Sequence, residues 1–506
     1  MARKQGKKRS SRKSRKRRQD TGTLSNVECL RKKFDWLLPD SSIFAKVRFH
    51  GNISWAASNL VILALCWSWS EARHVTDAFT EALGWYRQVF LDCSPLTTYQ
   101  GFMGALATWT PQLLPIMIGI LQQRMAGLAQ IGGGFYRVAG WIPIAFDGSR
   151  SSASRTKSNE EEFCAKNYGK GKTAKYRKKK SKGQRRKKNE KNPAQPQEPQ
   201  AWITMMWHMG LRLPWDWRLG PSNASERDHV MAMIEEGHFP AWTLLCGDAG
   251  FVGYRLWSCI QRADLSFLVR VGGNVNLLTE YAHCKFEKID KEHYVLCWPK
   301  EAIRSKLPPL RLRLVRARVG KTTMWLLTNV LDERKLTRAM MGRFYKMRWG
   351  VEIEFRGLKQ TLDRAKLRCR NSKRLLAELN WSILAMAVAE LLALKEQLEC
   401  RLENRPRRKK RANKPSAYDP SKRSLANTMR ALRGCLKNLH ETPTPGKDLT
   451  SLLKKAVTDD YQRKRSKKAR YRPPNPDKKP LGNPEIRRLD KEEKAKLKRF
   501  DREKAA

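Results

Sequence analysis

Two short apolar runs, far apart in the chain, each close on an aspartate, and together they constrain the fold more than any other feature. The first is Trp141-Ile-Pro-Ile-Ala-Phe-Asp147-Gly148, the second Trp242-Thr-Leu-Leu-Cys-Gly-Asp248-Ala249-Gly250. Continuous hydrophobic stretches of this length, bounded by turn residues, are the pattern of buried central strands in an α/β sheet. Open sheets of that class hold ligands outside the carboxyl ends of their strands, where both carboxylates would stand. Either aspartate alone reads equally well as a turn former after a strand. The surrounding periodicity predicts extended segments over 201–210 and 211–220, a helix over 225–237, the strand ending at Asp248, a helix over 252–262 and a strand over 265–271. A helix over 334–363 follows. Between 272 and 331 alternating patterns predict a β-rich stretch, as in Leu310-Arg-Leu-Arg-Leu-Val-Arg-Ala-Arg, with apolar side chains on one face and basic ones on the other.

The last of these helices carries a second constellation. At 100° per residue, Tyr345, Arg348, Glu352 and Lys359 fall within an arc of about 60°, while Glu354 points roughly 180° from Tyr345. A lone carboxylate flanked by a phenol, a guanidinium and an ammonium suits a divalent metal held beside nucleic-acid phosphates. Surface ion pairing on a charged helix is the simpler account of any one of these pairs.

The spacing Tyr345, two residues, Arg348, three residues, Glu352, six residues, Lys359 resembles the signature of the DDE transposases of the insertion-sequence-four group. The resemblance implies an α/β fold with an RNase H-like mixed-sheet core over 136–365. It also implies a β-rich insertion at 272–331 between the second Asp and the Glu, and a helical N-terminal domain over 23–135 that binds terminal inverted repeats. It makes Asp147, Asp248 and Glu352 the catalytic carboxylates, holding two divalent ions, Mg²⁺ or alternatively Mn²⁺. It gives Tyr345, Arg348 and Lys359 the task of gripping DNA phosphates. Trp325, in Trp325-Leu326-Leu327, would stack on a base flipped out near the cleavage point, an interaction worth roughly 1–3 kcal/mol. The implied activity is metal-dependent strand cleavage and strand transfer in cut-and-paste transposition, by a homodimer acting on paired element ends and target DNA. The implied setting is the nucleoid-associated cytoplasm of a bacterium, with no membrane partner. An RNase H-like nuclease without strand transfer, and an inactive transposase-derived DNA-binding protein, are the competing readings.

Charge agrees with a nucleic-acid partner. The chain has 506 residues and a net charge of +55, distributed unevenly. Residues 1–22 carry +10, 166–192 carry +13 and 401–506 carry +21. Such segments are too polar to build a core, which predicts a disordered basic arm over 1–22, a flexible basic insertion over 165–200 and a largely disordered tail over 403–506. Closing a long loop costs only about 0.6 kcal/mol per doubling of its length, so the insertion does not forbid pairing of the strands around it. Gly171-Lys172-Thr173 within it is not a P-loop, because Lys166 stands where the motif needs glycine.

Residues 23–135 predict helices over 56–69, 73–90, 97–108 and 112–125. The apolar runs 60–67 and 115–121 fall short of the ~18–20 residues that span a bilayer, and no apolar h-region follows the basic start. Thr97-Thr-Tyr-Gln-Gly-Phe102 could open a recognition helix or simply pack. Eleven cysteines form no Cys-x-x-Cys pair and no zinc spacing with the eight histidines, so oxygen-ligated Mg²⁺ or Mn²⁺ is the metal to expect. Cys66 and Cys246 read as core residues of a reducing compartment. Residues 366–402 predict an amphipathic helix through Leu375, Leu379, Ile383 and Leu391. If basic tails drive association with DNA, affinity should fall with salt with a log–log slope of about −0.9 per neutralised phosphate. A binding titration between low and physiological salt reads that slope directly.

Overall fold

The computed structural model describes residues 24–47, 49, 53, 55–90, 96–132, 134–164, 198–279, 293–403, 419–458 and 481–505. Four helices come first: α1 (Asn26–Leu37), α2 (Ala57–Trp69), α3 (Val75–Val89) and α4 (Tyr99–Gly132). Strand β1 (Ile142–Ser152), helix α5 (Lys157–Phe163), and strands β2 (Gln200–His208) and β3 (Leu213–Gly220) follow. Next are α6 (Glu226–Glu236), β4 (Thr243–Gly247), α7 (Tyr254–Arg262) and β5 (Ser266–Val271). The β-rich stretch contains β6 (Asn276–Thr279), β7 (His293–Cys297), the short α8 (Lys300–Arg304), β8 (Leu310–Val319) and β9 (Thr322–Thr328). The remainder is helical apart from one strand: α9 (Arg338–Met347), α10 (Gly350–Gln360), α11 (Ser372–Glu403), α12 (Leu425–Lys437), α13 (Leu449–Lys454), β10 (Glu485–Arg488) and α14 (Lys491–Ala505).

All ten strands join one mixed sheet in the order β10-β6-β7-β8-β9-β5-β4-β1-β2-β3. The strands β1, β4 and β5 run parallel, β1-β2-β3 is an antiparallel meander, and β9 returns antiparallel beside β5. The β-rich stretch therefore extends the same sheet rather than forming a separate layer. The two aspartate-terminated runs are its central strands because both faces there are covered, which continuous apolar sequence requires.

The expected amphipathic helix at 366–402 is instead the hub of the helical layer. Helix α11 is buried along almost its whole length, packed by α2, α4, α12, α13 and β3. Indole donors lock it: Trp69 Nε1 to the Ala385 carbonyl at 2.9 Å, Trp381 Nε1 to Thr110 Oγ1 at 2.8 Å, and Trp217 Nε1 to Asn380 Oδ1 at 2.9 Å. A helix surrounded on every side needs no polar stripe, so its pattern is apolar all round. The N-terminal helices consequently share one continuous core with α11 and the sheet. Two expected helices, 97–108 and 112–125, are one helix that runs through Pro111 and Pro115. This makes 99–131 and 372–400 long and apolar enough to cross a membrane by length and composition alone, although α11 is spent almost entirely on protein contacts.

The arm 1–22 and nearly all of the insertion 165–200 lie outside the described residues. Of the tail expected to be largely disordered, residues 419–458 and 481–505 are described and carry regular structure. Helices α12 and α13 pack on α11, and β10 adds a parallel strand to β6. Leu489 and Leu497 complete a small apolar cluster with Leu278, Leu296, Trp298 and Ala302. A few well-spaced leucines suffice there, which average composition conceals. The basic face expected on β8 is also incomplete. Arg313 is fully buried beneath α9 and donates to the Leu336 carbonyl, because α9 covers that side of the strand.

The helix expected over 334–363 breaks in two. Around Trp349 the backbone bonds shorten to i→i−3 spacing, Trp349 N to Lys346 O at 3.4 Å and Val351 N to Arg348 O at 3.1 Å. The kink seats Gly350 directly on the Trp207 indole, so closely that a Cβ there would stand 2.1 Å from a ring carbon. Gly350→Ala is therefore expected to push α10 off β2 and cost about 1–3 kcal/mol, read as a lowered denaturation midpoint; an unchanged midpoint would contradict this packing.

Candidate functional site

Along β1, Ala145, Asp147 and Ser149 face one side of the sheet and Phe146, Gly148 and Arg150 the other. Pairing of β1 with β4 runs from Ile142↔Thr243 to Ala145↔Cys246 and stops there. Continuing that register by two residues sets Asp147 opposite Asp248, on neighbouring strands whose normal spacing is about 4.8 Å. Both aspartates thus stand where the parallel ladder ends and the strands part. The Asp147-Gly148 pair is not a turn, since β1 continues paired with β2 as far as Ser152. Asp248 does turn the chain: its Oδ1 accepts the Gly250 amide at 2.7 Å.

Helix α10 brings Glu352 in its first turn, where the helix dipole favours a carboxylate. The link between strand and helix is Arg348, in the kink between α9 and α10. Its Nη1 lies 3.4 Å from Asp147 Oδ2 and its Nη2 lies 3.8 Å from Glu352 Oε1, with side-chain exposures of 5% for Arg348, 19% for Asp147 and 42% for Glu352. The guanidinium also lies over the rings of Tyr345 at 5.4 Å and Trp349 at 5.6 Å. Burial raises the pKa of Asp147, Arg348 and the Gly148 amide oppose the rise, and Asp248 and Glu352 add to it. Tyr345 is buried on α9 beside Arg348; burial raises its phenol, with Arg348 and Arg270 opposing and Asp248 adding.

Lys359, two turns beyond Glu352, donates from Nζ to Ser149 Oγ at 2.7 Å, on the same strand and face as Asp147. Burial and then Arg150 lower its pKa. Lys359 and Ser149 present an ammonium and a hydroxyl side by side, a pairing suited to a phosphate oxygen.

One residue differs from expectation. Trp325 is only 7% exposed, and its Nε1 donates to Asn483 Oδ1 at 3.0 Å from the C-terminal segment. A base could stack on this ring only after that segment moved, so the structure does not present Trp325 as a free stacking platform. Glu354 does point away from the site, but into protein. Its Oε2 accepts from Trp207 Nε1 at 3.2 Å, and it neighbours Glu390, which Arg423 approaches to 3.5 Å.

Sequence reasoning missed Glu226, the first residue of α6. Its carboxylate lies over Gly148, where a Cβ would meet Oε1 at 2.0 Å. Burial, then Asp147, then Asp248 push its pKa up to about 7, against Arg150 and Arg227. The only sequence signals are Ser225, which caps the helix, and a glycine following Asp147.

The donor set at this edge is entirely carboxylate oxygen, the chemistry that suits Mg²⁺ or Mn²⁺ and not zinc. Among the described residues no three acidic, histidine or cysteine side chains stand close enough to hold an ion as they are. Arg348 occupies the space between Asp147 and Glu352, and its buried Nε lacks a hydrogen-bond partner. The residues fit such ions in kind.

Residues 144–388, a little under half of the chain, match the model of a protein family described as "Transposase DDE domain". The matched span contains all three expected carboxylates and supports a DDE transposase, a class of enzyme that cleaves nucleic acid, transfers strands and normally uses divalent metals. No curated protein matches the chain. A solved structure titled "Cryo-EM structure of piggyBac transposase synaptic complex with hairpin DNA (SNHP)" aligns with 85% of this chain and 88% of its own, at 11% identity and a TM-score of 0.35, too loose a likeness to build on.

The Glu354 environment makes a test independent of activity. Burial, and then Glu390, hold Glu354 well above the ordinary carboxylate range. A carboxyl whose folded pKa is raised binds its proton more tightly in the folded state, so stability should fall as pH rises above about 4.5 toward the folded value. Glu354→Gln keeps the bond to Trp207 without the titration. Its thermal midpoint should decline less than the parent's between about pH 5 and pH 8; parallel declines would refute the assignment.

Proposed function

We propose that this chain is a DDE transposase of the insertion-sequence-four type, with an RNase H-like core, that cuts the ends of a mobile element and joins them to target DNA. The observation that supports the reading is that Arg348 bridges Asp147 and Glu352, with Asp248 following the strand that pairs beside Asp147 and both other carboxylates acting on the charge of Asp147. The strand order β3-β2-β1-β4-β5, antiparallel through β1 and parallel beyond it, supports the RNase H-like part of the reading. The Tyr345, Arg348, Glu352 and Lys359 spacing supports the narrower group assignment.

In this reading Asp147, Asp248 and Glu352 hold two divalent ions, which when bound activate the attacking oxygen and stabilise the leaving one. The chain's own residues do the positioning. Asp147 and Asp248 are fixed by the sheet, one accepting the Gly148 amide at 2.9 Å and the other the Gly250 amide at 2.7 Å. Lys359 and Ser149 take a phosphate beside Asp147, and Tyr345 and Arg348 close the opposite wall. Arg348 neutralises the carboxylates until DNA and ions arrive, then turns to the phosphate. The basic terminal segments and the 165–200 insertion supply affinity without sequence choice. A homodimer holding two ends is the working assembly, with terminal inverted repeats as its specific partner.

Element-end DNA with Mg²⁺ tests the proposal. Asp147→Asn, Asp248→Asn and Glu352→Gln should each abolish cleavage and strand transfer while end binding stays near the parent's, and Glu354→Gln should remain active. Cleavage without joining by the parent chain would indicate a nuclease; end binding without cleavage would indicate an inactive descendant. For Lys359→Ala, end binding should weaken and the salt slope should fall by about 1; unchanged affinity would remove Lys359 from the phosphate site.

A further inference from the structure

The side of β1 opposite Asp147 is where the site described so far is incomplete. Gly148 leaves a gap in that face, just beyond the point where β1 and β4 stop pairing. Helix α6 is fastened over the gap. Ser225 caps it, its side chain accepting the Asp228 amide at 3.2 Å. One turn along, His229 Nδ1 lies 2.9 Å from Thr204 Oγ1, and Thr204 is the residue of β2 that pairs with Gly148. Glu226 and His229 are three apart and share a helix face, so the His229–Thr204 bond fixes where Glu226 must point. Its carboxylate fills the space that a side chain at position 148 would take.

That position is costly for an isolated anion. Among the described residues the Glu226 carboxylate forms no hydrogen bond and no ion pair, and Arg348 pairs with Asp147 and Glu352 from the other face. Asp147 and Asp248 both raise the energy of its charged form. Arg150 and Arg227 oppose that rise. However, Arg150 is held by Gln200 and the Trp202 ring and Arg227 by the Val252 carbonyl, so neither pairs with this half-buried carboxylate, which leaves it a place for a bound cation.

We infer that Glu226 is a fourth carboxylate of the ion-binding set, serving Asp147 and Asp248 from the face opposite Glu352, with Gly148 retained to let it through. This rests on the transposase reading given above. It assigns Gly148 a role in admitting the carboxylate, not in bending the chain.

The test is Mn²⁺ binding to the full chain, measured by the loss of the free-ion electron paramagnetic resonance signal, with nicking of element-end DNA read in parallel. Glu226→Gln should weaken Mn²⁺ binding by about 10-fold or more and slow nicking, while the thermal midpoint and end-DNA binding hold. Gly148→Ala removes no carboxylate from the chain but displaces that of Glu226, and should weaken Mn²⁺ binding in the same direction; it carries the test if Glu226→Gln does not fold. Parental Mn²⁺ affinity in whichever of these two variants folds overturns the inference. Asp147→Asn separates the two levels. If it loses Mn²⁺ and nicking while Glu226→Gln keeps both, only the Glu226 assignment fails; if Asp147→Asn keeps both, the transposase reading falls with it.

Discussion

The contact on which the site depends is the guanidinium of Arg348 between Asp147 and Glu352. It joins a central strand, at the point where its pairing with β4 has stopped, to the first turn of a helix two hundred residues later in sequence, and it does so under the surface, where an unpaired charge is expensive. Three packing decisions serve it. The kink at Trp349 aims Arg348 toward the strand and Glu352 alongside it. Gly350 lets the kinked segment rest on Trp207. Trp207 in turn donates to Glu354, so the carboxylate two residues from Glu352 is consumed by the core. Glu352 is left as the acidic residue of that turn facing the sheet edge.

Around this contact the molecule divides its charges by task. Carboxylates gather where β1 and β4 part, Arg348 and Lys359 stand beside them, and most of the positive excess lies in segments at the ends of the chain and in the 165–200 stretch. On the proposed reading this separation has a purpose: carboxylates to concentrate ions and basic sequence to concentrate DNA. The buried Glu354, Glu390 and Arg423 group belongs to a different purpose, seating α10 against α11 and α12.

What could be seen in the sequence was what depends on local pattern. The apolar strands leading into Asp147 and Asp248 were legible because a strand covered on both faces must be continuously apolar, although β1 runs on past Asp147 to Ser152. Arg348 and Glu352 were legible because four residues is one helical turn, and the kink between them shortens that turn without reversing it. The longer inference, from Tyr345 to Lys359 on one straight helix, was not secure, since the break depends on how Gly350 meets Trp207. Glu226 was invisible for a similar reason: nothing near Ser225 announces that Gly148 has left room for it. Trp325 and the C-terminal segment illustrate the opposite error. A basic stretch judged by average composition still holds Leu489 and Leu497 at the spacing that docks it, and Asn483 then covers the indole.

The central claim is that Asp147, Asp248 and Glu352 close on shared divalent ions when Arg348 lets go. Anomalous diffraction from crystals of the full chain grown with Mn²⁺ and element-end DNA addresses it most directly. The account predicts manganese density between the three carboxylates, with the Arg348 guanidinium moved from Asp147 onto a phosphate. Manganese absent from that edge while Arg348 still bridges Asp147 and Glu352 in the DNA complex would contradict it.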